Sequence, residues 1–133
     1  MNSLTQIKVG GSLSEVTLPP VSRLDLIKYA GASLDFNPIH TIDEEASKAG
    51  LPGVIAHGMW TMGNLAKLFT PYHEIGFMKD YQIRFSGMVF LGDVITLKAV
   101  LSEETENAFI FSVRAVNQKE KDVIKGKVVF AKH

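Results

Sequence analysis

The second half of the chain repeats one local pattern, and this repetition restricts the fold more than any other feature of the sequence. Residues 77–86 alternate apolar and polar side chains, with Tyr81, Ile83 and Phe85 on one face, as in a half-buried strand. Three further segments rich in Val, Ile and Phe, joined by short polar turns, follow at residues 94–103, 108–116 and 123–131. Turns this short favour antiparallel hairpins, and residues 14–18 predict one more strand near the start.

A long apolar segment, residues 58–72, precedes these strands. Its apolar side chains fall on nearly every face of a helix, and Lys67 is its single charged residue. A helix that is apolar nearly all round is a buried one, and Pro71 is expected to end it. We therefore predict the α+β class, with an antiparallel sheet wrapped around one long central helix.

Two shorter helices are predicted ahead of this segment from their capping patterns. Ser22 is followed three residues later by Asp25, and Thr41 is followed three residues later by Glu44. In a capping box the first side chain accepts from the backbone N–H of the fourth residue, and the fourth side chain accepts from that of the first. Ser22 and Thr41 are therefore predicted to be N-cap residues.

Composition narrows the class of protein. The chain has 133 residues, of which 46% are hydrophobic and 21% charged, a balance typical of globular proteins, so residues 1–133 are predicted to form a single domain. The 14 basic residues cancel the 14 acidic ones, which argues against nucleic acid or a membrane surface as a partner. The absence of Cys excludes disulfides and thiolate chemistry. Since no signal peptide or spanning segment is recognisable, we expect a cytoplasmic protein.

The residues best suited to chemistry lie in residues 34–40, which read LDFNPIH. Asp35 and His40 are separated by the Asn37-Pro38 bend, which can turn the carboxylate and the imidazole toward one point and hold a water between them. A neutral imidazole is a suitable base near pH 7. The alternative is structural, because Asp and Asn side chains also cap and shape turns without any catalytic role.

A second candidate lies at the start of the long helix. Gly58 would leave a backbone N–H free at the positive end of the helix dipole, where it can stabilise an oxyanion; the alternative is that Gly58 only permits close packing. His57 is better explained as a helix cap or a core residue. His40 and His57 form no H-x-x-x-H pair, and we predict neither a metal nor a cofactor.

Two segments resemble a known family. Residues 29–43, YAGASLDFNPIHTID, resemble the hydratase-2 motif of the MaoC-like hot-dog proteins, and residues 54–59, VIAHGM, resemble the block that opens their central helix. The resemblance covers most of the chain and is especially marked for the catalytic subunits of mycobacterial-type fatty-acid-elongation dehydratases. Two positions depart from the family pattern. Ile42 replaces an acidic residue after the histidine, and Ala66 replaces a serine found on the central helix of some hydratases.

The resemblance implies a hot-dog fold and a hydro-lyase, either an (R)-specific enoyl-CoA hydratase or a 3-hydroxyacyl-thioester dehydratase of fatty-acid metabolism. It also implies roles for individual residues. Asp35 and His40 match the catalytic dyad that activates water. Asn37 matches the amide that helps to hold the loop and the substrate site, and Gly58 matches the glycine whose N–H binds the thioester carbonyl.

The resemblance further implies partners and defines the alternatives. The substrate is carried on CoA or an acyl-carrier protein, and the site forms in a homodimer or in a heterodimer with a related hot-dog subunit. The nearest alternative enzyme is a hot-dog thioesterase or a dehydratase of the bacterial chain-elongation type, although such enzymes generally place Glu or Asp on the central helix, and residues 59–70 have neither. A non-catalytic acyl-thioester-binding or partner subunit is the other alternative, and it would have no use for the dyad.

Overall fold

The computed structural model describes residues 4–133, apart from the side chain of Thr5. Its helices are α1 (Arg23–Ser33), α2 (Asp43–Lys48) and α3 (Gly58–Leu65), with 3₁₀ turns at Leu4–Gln6, Pro38–His40, Ala66–Leu68 and Thr70–Tyr72. Its strands are β1 (Val16–Thr17), β2 (Gly76–Phe85), β3 (Thr96–Glu104), β4 (Ala108–Val116) and β5 (Asp122–Lys132). All five predicted strands are present, although β1 is only two residues long.

The strands form one antiparallel sheet in the order β1-β3-β4-β5-β2. β3, β4 and β5 pair as a meander and β2 adds beyond β5, so β2 lies at one edge. Phe111 and Phe130 are buried on the inner face of the sheet. The ring of Phe69 packs on them, with centroids 5.2 Å from Phe111 and 5.9 Å from Phe130. The sheet therefore covers the helical segment, which confirms the predicted α+β class.

The central helical segment is less regular than predicted. The single helix expected over residues 58–72 is wrong, because α3 ends at Leu65 and two 3₁₀ turns carry the chain on to Tyr72. Asn64 lies at this break, and its side chain donates to the carbonyl of Trp60. Asparagine is a weak helix former because its side chain competes for backbone hydrogen bonds. The position of Asn64 therefore accounts for the end of α3.

The burial of this segment also differs from the prediction. Met59 is 54% exposed, whereas Leu65 and Leu68 are fully or almost fully buried. Pro71 does not end a helix but lies within the last 3₁₀ turn, where a proline near the first position costs no hydrogen bond. The apolar composition thus identified a core segment correctly but did not reveal that one side of it is open.

Only the first of the two predicted capping boxes is present. Ser22 accepts from the N–H of Asp25, and the Asp25 carboxylate accepts from the N–H of Ser22. The N-cap predicted at Thr41 is wrong, because Ile42 occupies that position and no side chain caps α2. The preceding 3₁₀ turn is the reason: the N–H of Thr41 and that of Ile42 both donate to the carbonyl of Pro38.

A side-chain hydrogen bond ties β2 to α3, and removing it should measurably destabilise the fold. The Tyr81 hydroxyl donates to the Met62 carbonyl at 2.6 Å, and burial raises the pKa of Tyr81 well above its usual range, so the hydroxyl stays protonated at neutral pH. Tyr81→Phe should lower the free energy of unfolding by about 1–2 kcal/mol, because the Met62 carbonyl loses its partner.

Urea unfolding measures this change. The control is Gln82→Ala, which removes only an exposed contact with Asp80 and should change the free energy of unfolding by less than about 0.5 kcal/mol. Indistinguishable unfolding curves for Tyr81→Phe and the unmodified protein would contradict the expectation.

Candidate active site

The loop after α1 is shaped by two short-range hydrogen bonds. Leu34 is the C-cap residue of α1, and its backbone is left-handed with φ 61°. Asp35 Oδ1 then accepts from the N–H of Asn37 at 3.2 Å, and Asn37 Oδ1 accepts from the N–H of Ile39 at 3.2 Å. These are the turns that Asp and Asn side chains favour. Asp35 and Asn37 therefore do have the turn-shaping role that was considered for them. Their two hydrogen bonds set the path of the backbone that leads to His40.

This loop brings Asp35 and His40 together. Asp35 Oδ2 lies 4.0 Å from His40 Nε2. His40 is buried, and its other ring nitrogen, Nδ1, lies 2.7 Å from the carbonyl oxygen of Ile55. Because a carbonyl can only accept, Nδ1 carries the proton and the lone pair of Nε2 faces the carboxylate. Two acceptors at this separation have room for one water that donates a hydrogen bond to each.

His57 joins this pair, which the sequence did not indicate. Its Nε2 lies 3.0 Å from the backbone carbonyl of Asp35, and its ring stacks on that of His40 with centroids 3.7 Å apart. His57 is the N-cap residue of α3 but makes no side-chain cap, so the predicted capping role is wrong. It is buried, as the core interpretation requires, but its neighbours are the two dyad residues.

Gly58 is the first residue of α3, so its N–H has no acceptor within the helix. A Cβ atom at this position would lie 2.7 Å from Cε1 of Phe85, well inside the normal contact distance of carbon atoms. The two explanations of Gly58 are therefore compatible. Close packing against Phe85 requires a glycine, and the same glycine leaves the N–H open.

His40 and Gly58 lie on the wall of one cavity of about 180 Å³. The rest of its lining is mostly apolar and includes Phe85 and Met88. Thr61, one turn beyond Gly58, adds a hydroxyl to the wall. This residue was also missed, because a threonine in an apolar helical segment has no distinctive sequence signal. The cavity combines an apolar surface with a few polar groups, as small-molecule sites do.

Asp35 and Asn37 are not on this wall. Both residues are exposed, and the Asp35 side chain is 52% accessible although its carboxylate lies 4.0 Å from His40 Nε2. The side-chain oxygen Oδ1 of Asn37 accepts a hydrogen bond from the N–H of Ile39. A contact between Asn37 and the substrate therefore stays a prediction.

Carboxylate and imidazole side chains can also bind metal ions. Three of them lie together here, with one ligand atom from each within 4.8 Å of the others, namely Asp35, His40 and His57. Tetrahedral zinc with bonds of about 2.0–2.2 Å would hold neighbouring ligands about 3.3 Å apart. The separations from Asp35 Oδ2 to the two Nε2 atoms are both 4.0 Å, and His57 Nε2 already donates to a carbonyl. The geometry therefore fits an acid–base pair better than a zinc site.

Comparison with known proteins places this arrangement in a family. The sequence profile of the MaoC like domain matches residues 6–124. The chain belongs to the MaoC-like domain family. This MaoC-like chain is 32% identical over 130 residues to the mitochondrial 3-hydroxyacyl-[acyl-carrier-protein] dehydratase of Arabidopsis thaliana, an alignment that covers 94% of this chain and 77% of the plant protein.

Solved structures share the fold of this chain. The MaoC-like chain superposes on the R-hydratase PhaJ1 from Pseudomonas aeruginosa with a TM-score of 0.88 and 24% identity, covering 96% of this chain and 83% of the other. It also superposes on one chain of the ChsH1-ChsH2 complex from Mycobacterium tuberculosis with a TM-score of 0.84 and 17% identity. This alignment covers 95% of the MaoC-like chain and 98% of the other chain. At these identities the likeness is one of fold, and it confirms the predicted hot-dog fold.

Proposed function

We propose that this MaoC-like domain, with residues 1–133 as one unit, catalyses the reversible hydration of trans-2-enoyl thioesters to (R)-3-hydroxyacyl thioesters. It would thus be a hydro-lyase of fatty-acid metabolism. The observation that carries the proposal is the Asp35–His40 pair, 4.0 Å apart, beside a cavity whose wall includes Gly58. The plant dehydratase and the bacterial R-hydratase are named for the two directions of such a reaction, and the family resemblance supplies the (R) configuration.

In the hydration direction, the Gly58 N–H donates to the thioester carbonyl, which makes C3 electrophilic and stabilises the enolate that forms. The water held between Asp35 and His40 attacks C3, and His40 Nε2 takes one of its protons as the C–O bond forms. The same pair then delivers that proton to C2, and the enolate returns to the thioester. Because hydroxyl and proton come from one side of the double bond, the addition is syn.

The two dyad residues have different tasks in this scheme. His40 is the base, since the lone pair of its Nε2 faces the water position. Asp35 orients the water and stabilises the imidazolium on His40 through its negative charge. Asn37 holds the loop through Ile39, and its amide nitrogen is expected to contact the substrate.

Exposed apolar side chains around the dyad indicate that a second subunit covers the site. Four large apolar side chains next to the dyad loop and the start of α3 are at least half exposed, namely Leu34, Phe36, Ile42 and Met59. β2 ends at Phe85, against Gly58, and among the described strands it pairs with β5 alone. A free edge of this length is a template for another strand. We therefore expect a partner hot-dog subunit along β2.

The partner is a copy of this chain or a related subunit, and light scattering of the purified protein separates the two. A homodimer has twice the mass of one chain. A monomer that gains activity only when a second hot-dog chain is added would identify a heterodimer, for which the ChsH1-ChsH2 complex is a structural precedent.

The proposal covers thioesters of CoA and of acyl-carrier protein. The plant relative is named for the acyl-carrier protein and as mitochondrial, so both carriers belong in the assay. Within residues 4–133, no helix is long and apolar enough to cross a bilayer. Placement of this chain in the cytoplasm stays a prediction from its sequence.

The function is tested by mixing the protein with crotonyl-CoA and following the absorbance of the conjugated enoyl group. A long-chain enoyl-CoA and a crotonyl-acyl-carrier protein are run in parallel, and a thiol reagent monitors release of the carrier. The proposal expects absorbance to fall with no release of thiol. Thiol release would favour the thioesterase. The sequence argues against that alternative, because α3 contains no carboxylate, either in its first turn or in the rest of its sequence. Binding with neither change would favour a non-catalytic subunit.

A further inference from the structure

We propose that His57 is a positioning residue, which holds both members of the dyad through a ring that carries its proton on Nε2. This inference rests on the proposed hydration reaction. It assigns His57 no direct part in the chemistry. It also replaces the interpretation of His57 as an ordinary core residue.

Two contacts of His57 act on different members of the dyad. Its Nε2 donates to the Asp35 carbonyl at 3.0 Å, which fixes the backbone from which the carboxylate projects. Its ring lies on the His40 ring at 3.7 Å with planes only 21° apart, so it supports the face of the base. At the edge of the His40 ring, Nδ1 donates a hydrogen bond to the carbonyl oxygen of Ile55. The His40 ring is therefore held at its edge by this hydrogen bond and on one face by the His57 ring.

The His57 backbone adds a third link. His57 is the N-cap of α3, and the next residue, Gly58, is the first of that helix. The backbone that carries the His57 ring is therefore directly bonded to the residue that holds the proposed oxyanion donor. One residue thus connects the base, the carboxylate and the carbonyl-binding N–H. Small displacements of reacting groups have large effects on rate.

The tautomer of His57 follows from its hydrogen bonds. Since Nε2 donates to a carbonyl, Nδ1 carries the lone pair in the neutral ring. Nδ1 is buried, and among the described residues it has no hydrogen-bond partner. The tautomer with its proton on Nδ1 would bury an N–H without an acceptor, which is unfavourable. The titratable groups packed on the ring are Tyr29 of α1, Asp35 and His40, and none of them reaches Nδ1.

Two substitutions separate the contacts of His57. His57→Phe keeps a ring on His40 but removes the donor to Asp35, whereas His57→Gln keeps a donor near Nε2 but removes the stack. We expect kcat to fall by about 10–100-fold in His57→Phe with KM within about twofold, and to recover in part in His57→Gln. His73→Phe is the matched control, because His73 is exposed and contacts only the backbone of Thr70 through its side chain; it should keep the full kcat.

Nitrogen NMR of the unmodified protein tests the tautomer without any activity. The chain has four histidines, so ¹⁵N-labelled imidazoles can be assigned from the substituted proteins. We expect the neutral ring of His57 to carry its proton on Nε2, and the neutral ring of His40 in the protein without substrate to carry its proton on Nδ1.

The outcomes are distinct. Wild-type kcat in both His57 variants, or a neutral His57 ring that carries its proton on Nδ1, would overturn the inference while leaving the hydratase intact. An unmodified protein that does not hydrate any enoyl thioester, alone or with a second hot-dog chain added, would overturn the proposed function instead, and the NMR result would still decide the tautomer of His57.

Discussion

Asp35→Asn and His40→Asn should each lower kcat by about 10³-fold, which is the size expected for loss of a general acid–base group. Asn at position 35 retains an oxygen for the N–H of Asn37 but has no negative charge to stabilise the His40 imidazolium. Asn at position 40 retains a donor for the Ile55 carbonyl, where Nδ1 of the imidazole now lies at 2.7 Å, but has no basic nitrogen. Both substitutions therefore remove chemistry while preserving the contacts that shape the loop.

Steady-state kinetics with crotonyl-CoA measure the effect, and urea unfolding shows whether the fold is kept. Asp80→Asn and His73→Asn are the matched controls, because both side chains are exposed and neither lines the cavity. The controls should stay within about twofold of the unmodified kcat. A dyad variant that folds normally and keeps more than a third of kcat would show that its side chain is not part of the acid–base machinery.

Gly58→Ala should lower kcat/KM by about 100-fold, the scale on which a single oxyanion donor contributes. The new methyl group would lie 2.7 Å from the Phe85 ring, so the ring or the start of α3 has to move. Phe85 lines the cavity, and the N–H of residue 58 is the proposed carbonyl donor. Either movement therefore disturbs the position of the thioester.

The same helix offers a matched control. Gly63 also lies in α3, and a Cβ there would meet no atom within 4 Å. Gly63→Ala should keep kcat/KM and raise the free energy of unfolding by about 0.4–1 kcal/mol. Phe85→Leu in the Gly58→Ala protein should restore part of kcat/KM by relieving the clash. A Gly58→Ala protein as active as Gly63→Ala would contradict the requirement for a glycine at the start of α3.

The strands could be predicted from the sequence because alternation is a local property. In β2, Tyr81 and Ile83 are partly buried between exposed Gln82 and Arg84, as the pattern required. The structure of the helical segment at residues 58–72 was harder to predict, because apolar composition cannot distinguish one α-helix from a shorter helix followed by 3₁₀ turns. The failure at Thr41 has a similar origin, because the 3₁₀ turn ahead of α2 uses backbone groups that a capping box needs.

At the site, too, contacts between residues close in the sequence could be predicted, whereas contacts between distant residues could not. Asp35 and His40 are five positions apart in a motif with a proline bend, so their approach could be expected from the sequence. His57 reaches Asp35 across 22 positions, and its stack on His40 depends on how α3 packs against the loop. No spacing rule connects these residues. Thr61 was missed for the same reason, because only the fold places its hydroxyl on the cavity wall.

The central claim is that one water held by Asp35 and His40 adds to the enoyl thioester from one face. Its most direct test is hydration of crotonyl-CoA in D₂O, followed by proton NMR of the 3-hydroxybutyryl product. We expect the (3R) product with one deuterium at C2, added syn to the hydroxyl, and formation of this product about 10³-fold more slowly with Asp35→Asn. Anti addition, a mixture at C2, or no hydration by the intact protein either alone or with a second hot-dog chain would contradict the account.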